Sequence, residues 1–70
     1  MKKAINILSK NGFKVVEQFE NTVKVEKPSC KLVITKEGED DYLVSMYEFH
    51  NGYTTEDYFE CELEDLKDFE

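Results

Sequence analysis

A chain of 70 residues, 40% hydrophobic and 13% aromatic, has material for one small core spanning 1–70 and too little for a deep catalytic cleft. Its formal charge of −7 is divided at one point: residues 1–36 hold eight of the nine lysines and three acids, whereas residues 37–70 hold thirteen acids and one lysine. A field of that sign disfavours nucleic acid and selects basic partners. No apolar run approaches the ~20 residues a membrane span needs, and Asn6, Ser9, Lys10 and Asn11 interrupt the opening stretch too early for a signal peptide. A cytoplasmic protein is therefore expected. Cys30 and Cys61 lie far apart, without the spacing of a zinc site or a disulfide framework, and read as core-type thiols.

Ala4, Ile5 and Leu8 fall at helical spacing, and Asn11-Gly12 is a stop signal, so a helix is predicted from about residue 2 to 11. Lys2 and Lys3 in its first turn have the wrong sign for the helix dipole, and packing or a nearby acidic segment must offset that. From Phe13 the period changes to 2. Phe13, Val15 and Glu17 form one strand, Val23 and Val25 mark the next, and Phe19-Glu20-Asn21 is the loop between them. This loop would place Asn21 in a left-handed conformation, Val15 opposite Val25, and Val16 opposite Lys24.

Lys27-Pro28-Ser29 breaks the run and Cys30 to Lys36 resumes it, with Leu32 and Ile34 on one side and Lys31, Val33 and Thr35 on the other. After the polar turn at 37–41, Tyr42 to Phe49 is the longest strand-like stretch, and Asn51-Gly52 is a strong hairpin signal. That turn pairs His50 with Tyr53, Val44 with Phe59 and Tyr42 with Cys61, giving a core face of Tyr42, Val44, Met46, Tyr53, Phe59 and Cys61. Asp57 would then lie beside Met46, which predicts a bulge near Thr54-Thr55-Glu56. Leu63, Leu66 and Phe69 suggest a short C-terminal helix with Glu62, Glu64 and Asp65 at its start.

The expected fold is thus α+β: a single antiparallel sheet of four to five strands, the N-terminal helix on one face and a short C-terminal helix, in the order α-β-β-β-β-β-α. The other sheet face presents Leu43, Tyr47, Phe49 and Tyr58 among Glu56 and Glu60. It must meet the terminal helix, a second copy of the chain, or a foreign partner.

Glu37, Glu39, Asp40 and Asp41 lack the alternation and distal Glu of a calcium loop, so the run reads as a solvated turn. His50 is the sole histidine and no serine stands in a nucleophile motif. Glu48, His50, Glu56 and Asp57 could meet around an ion across the last hairpin, as in a small metal-dependent nuclease or hydrolase. Acid density alone makes such meetings common. Lys14, Lys24, Lys27, Lys31 and Lys36 could bind phosphate, but the chain lacks arginine and the net charge opposes it.

The order helix, Asn11-Gly12-Phe13, three strands resembles the start of the HicA-type toxins, small α+β ribonucleases with a double-stranded-RNA-binding-like fold, over residues 4 to about 36. That family's Gly-Ser-His segment has no counterpart at Asn21-Thr22-Val23-Lys24, and neither activity nor site residues carry over.

The residues favour a non-enzymatic binding or inhibitor protein for a basic protein partner, by imitation of nucleic-acid charge among other routes, with no cofactor, metal or catalytic residue. Glu56, Asp57, Glu60, Glu62, Glu64 and Asp65 would supply the field, and Tyr47, Phe49 and Tyr58 the anchors. The alternatives are an obligate homodimer and the metal-dependent hydrolase.

Overall fold

A computed structural model describes residues 1–69. Helix α1 (Lys2–Lys10) is followed by strands β1 (Lys14–Gln18), β2 (Thr22–Lys27), β3 (Cys30–Lys36), β4 (Asp41–His50) and β5 (Tyr53–Glu62), and then by a 3₁₀ segment, Leu63–Asp68. The strands form one antiparallel sheet in chain order, β1-β2-β3-β4-β5. Each neighbour is reached by a short turn, the simplest way to satisfy the backbone groups of consecutive strands.

Gly12 makes the exit from α1 with φ +94°, a conformation that costs a side-chain-bearing residue about 1–2 kcal/mol. The turn brings Phe13 beneath the helix, where it joins Ala4, Leu8, Val23, Val25, Leu32, Ile34, Tyr42, Val44 and Leu66 in the buried core. The alternation of β2, β3 and β4 explains that set: Val23, Ile34 and Val44 share one register row, and Val25 and Leu32 share the next. The described core encloses no polar or charged residue.

The 3₁₀ segment lies on the same side of the sheet as α1. Leu66 is fully buried with Leu8, and the Asn11 side-chain amide donates to the carbonyl oxygens of Leu66 (3.5 Å) and Lys67 (3.2 Å). A reciprocal cap fixes the start of the segment: the Glu62 backbone N–H donates to Asp65 Oδ2 at 3.0 Å, and the Glu62 carboxylate accepts from the Asp65 backbone. Negative charge at Glu64 and Asp65 also suits the first turn.

Several details of the register differ from expectation. Val15 does oppose Val25, but Glu17, not Val16, opposes Lys24. The irregularity sits in β1 at Val16, and Asn21 is not left-handed, since no described residue other than glycine has positive φ. Placing the extra residue in β1 leaves Val16 exposed and replaces a Val–Lys pair by an ion pair, Lys24 Nζ to Glu17 Oε2 at 3.1 Å.

The β4–β5 ladder runs unbroken from His50–Tyr53 to Asp41–Glu62, with no bulge at Thr54-Thr55-Glu56. Asp57 does oppose Met46, and the pairing is tolerated because β5 is an edge strand on which Asp57 remains exposed. Tyr53 is on the core side by register but 62% exposed; the hairpin extends beyond the helix and the ring stacks on His50 at 4.6 Å.

Candidate functional site

Because α1 and the 3₁₀ segment occupy one side of the sheet, the other side has no described element over it. The register sets its side chains in rows. Lys31, Tyr47 and Glu56 form one row across β3, β4 and β5; Val33, Ser45 and Tyr58 form the next; Thr35, Leu43 and Glu60 form a third. Phe49 extends the Tyr47 column toward the hairpin, and Glu62 extends the Glu60 column toward the 3₁₀ segment.

Each row runs from a cationic or neutral residue on β3, through Tyr47, Ser45 or Leu43 on β4, to β5. Phe49 is 46% exposed and Tyr58 65%, with the half-buried Tyr47 between their rows and Leu43 and the half-buried Val33 around Ser45. Lys31, Val33, Tyr47 and Phe49 also line a shallow hollow with Lys24. A contiguous apolar patch edged by charge is the kind of surface that marks an interaction site.

Of the residues predicted to bind a partner, Tyr47, Phe49, Glu56, Tyr58, Glu60 and Glu62 are therefore together on the open face. Asp57 points to the helix side, opposite Met46, and Glu64 and Asp65 belong to the 3₁₀ segment. Lys24, Lys31 and Val33 complete the face and are missing from the predicted set. Their signal was present in the alternation of β2 and β3, since both strands place the buried valine, leucine and isoleucine at the intervening positions.

The lysines divide likewise. Lys14, Lys24 and Lys31 belong to the open face by register, while Lys27 and Lys36 fall on the helix side, Lys27 Nζ lying 4.6 Å from the centre of the Phe13 ring. Only one ion pair within 4.0 Å occurs among the described residues, Lys24 with Glu17, and both partners belong to the first half of the chain. The described acids of the second half therefore have no cation within 4.0 Å among the described residues.

The Tyr58 hydroxyl donates to Glu56 Oε1. That hydrogen bond, with a smaller contribution from the neighbouring Tyr47 hydroxyl, pushes the phenol up to about 12, because a phenolate beside the carboxylate would lose the bond and meet its charge. Glu56→Gln is expected to bring the Tyr58 titration back toward the ordinary tyrosine range, read by ultraviolet absorbance between pH 9 and 13 at about half-unit steps. A Tyr58 titration unchanged by the substitution would contradict the assignment.

The last hairpin does not assemble the metal-binding set. Glu48, His50 and Asp57 lie on the helix side, whereas Glu56 lies on the open face. His50 Nε2 is 3.3 Å from Thr55 Oγ1, with Tyr53 stacked on its ring. No group of three His, Cys, Asp or Glu side chains among the described residues is arranged to hold a metal ion.

At the end of the sheet, Glu37, Asp41, Glu60, Glu62 and Asp65 surround a hollow floored by Tyr42 and Cys61. Burial, reinforced by Asp65, pushes the Cys61 thiol up; burial, then Asp40 and Cys61, does the same for Tyr42. Burial also raises Cys30, with Glu48 adding to it and Lys27 opposing. Neither cysteine has the lowered pKa of a reactive nucleophile.

No protein-family model, curated protein or solved structure matches this chain. The resemblance of residues 4–36 to the HicA-type toxins gains no support from these comparisons, and the functional reading rests on the surface itself.

Proposed function

We propose that this is a non-enzymatic binding or inhibitor protein that engages a basic protein partner. The observation that carries the reading is the open face, where Tyr47, Phe49 and Tyr58 adjoin the carboxylates of Glu56, Glu60 and Glu62 on an edge strand. Aromatic anchors beside unneutralised acids suit a partner that presents lysine or arginine around an apolar centre. Asp57, Glu64 and Asp65 add to the field from the helix side of the same edge. A row of carboxylates along one strand also approximates the charge of a nucleic-acid backbone, so proteins that bind or process nucleic acid are the favoured class of partner.

The test is retention by an immobilised basic nucleic-acid-processing enzyme at low and moderate salt. Binding should weaken as salt rises, and Glu56→Lys and Asp57→Lys should each lower affinity about tenfold. Absence of binding at every salt concentration, or binding to which both reversals are neutral, would sink the proposal.

A further inference from the structure

We infer that a second copy of this chain covers the open face in the free protein, the two sheets packed face to face about a two-fold axis running along β4. Closed two-fold pairs are the commonest protein assemblies, and they require a surface complementary to itself. The register rows supply that complementarity.

Rotation about an axis along β4 lays β3 of one copy over β5 of the other and keeps each row aligned with itself. Lys31 then faces Glu56 of the second copy, twice per interface, because the two residues are at opposite ends of one row through Tyr47. Val33 faces Tyr58 of the second copy by the same operation, and Tyr47 and Leu43 meet their own counterparts. The cation meets the anion at both margins, while Tyr47, Ser45 and Leu43 along β4 close on their own counterparts.

Other arrangements lack this match. An axis across the strands would set β5 over β5 and bring Glu56, Glu60 and Glu62 of both copies together, a repulsive alignment. The terminal 3₁₀ segment cannot serve as the cover, since Leu66 is buried beneath α1 on the far side of the sheet. Aligned sheets pack about 10 Å apart with strand directions within about 30°, a geometry the alternation of β3, β4 and β5 accommodates.

This inference does not depend on the proposed basic partner. Tyr47, Phe49 and Tyr58 cannot serve both a second copy and a basic partner at once, so partner binding and self-association compete.

Sedimentation of the full chain alone, over micromolar to millimolar concentrations, tests it. The expected result is a species of twice the chain mass that dissociates on dilution. Lys31→Glu and Glu56→Lys should each raise the dissociation constant about tenfold, and the double variant should restore it. Tyr47→Ala should favour the monomer without loss of the circular dichroism of the folded chain, because Tyr47 is outside the core. A monomer at every concentration would overturn the inference, and would leave the face to a foreign partner if added basic protein then protected it. A dimer indifferent to Tyr47→Ala and Lys31→Glu, or a double variant no better than the singles, would overturn it equally.

Discussion

Ile34→Ala is expected to lower the free energy of unfolding by about 2–5 kcal/mol, whereas Val33→Ala, one residue earlier in β3, should change it by less than about 1 kcal/mol. Ile34 is fully buried and shares a row with Val23 and Val44, so three strands meet at its side chain. Truncation removes apolar area and leaves a cavity that neighbouring strands, fixed by their ladders, cannot close. Val33 points to the open side. A domain of this length has a total stability of roughly 3.5–10 kcal/mol, so the first substitution puts the fold at risk and the second does not. Urea denaturation of dilute protein measures both, and equal losses would show that the sheet buries both faces.

Leu66→Ala is expected to cost about 2–3 kcal/mol, near the lower end for a buried leucine. Leu66 is the buried residue of the 3₁₀ segment, fully enclosed in the cluster that contains Leu8. Its removal loses the one fully buried contact of the segment, leaving the half-buried Leu63 and Phe69, the two Asn11 hydrogen bonds and the Glu62–Asp65 cap to retain it. A short terminal segment can fray and so relieve part of the cavity, which limits the cost. Native-state hydrogen exchange should show the loss concentrated in the 3₁₀ segment and α1, with the β3–β4 ladder changed only through the global decrease. A uniform loss of at least the Ile34→Ala size would contradict that local account.

Most of the architecture was legible because local signals agreed with one another. Asn51-Gly52 fixes the whole β4–β5 register, from His50–Tyr53 to Tyr42–Cys61, since an antiparallel hairpin has one alignment once its turn is set. Lys27-Pro28-Ser29-Cys30 works similarly for β2 and β3. Leu63, Leu66 and Phe69 marked a short terminal helix, but a spacing of three fits an α-helix as well as the 3₁₀ turn that forms. The position of the β1 irregularity was harder to read, because Val16 and Glu17 are both acceptable opposite Lys24 until the ion pair is weighed.

Tyr53 illustrates the other kind of limit. Its strand parity places it on the core side, but a nine-residue helix cannot cover the tip of a ten-residue hairpin, and that is a matter of tertiary extent. The candidate surface divides in the same manner. Alternation along β4 and β5 was enough to group Tyr47, Phe49, Tyr58, Glu56 and Glu60. Whether that face was open depended on which side the terminal segment took, a choice made by Leu66 and Asn11 across more than fifty residues of sequence. Lys31 became part of the surface only once β3 was placed beside β4.

The charge division of the sequence takes a spatial form in the fold. Lysines of β2 and β3 approach the open face from one side and the acids of β5 from the other, with the aromatic centre between them. The open face as a binding surface is tested most directly by a residue-resolved nuclear magnetic resonance titration with a basic nucleic-acid-processing protein at moderate salt. Shifts should concentrate at Tyr47, Phe49, Tyr58 and the β5 residues from Glu56 to Glu62, with α1 little affected. Shifts confined to the helix side, or none at all, would contradict it.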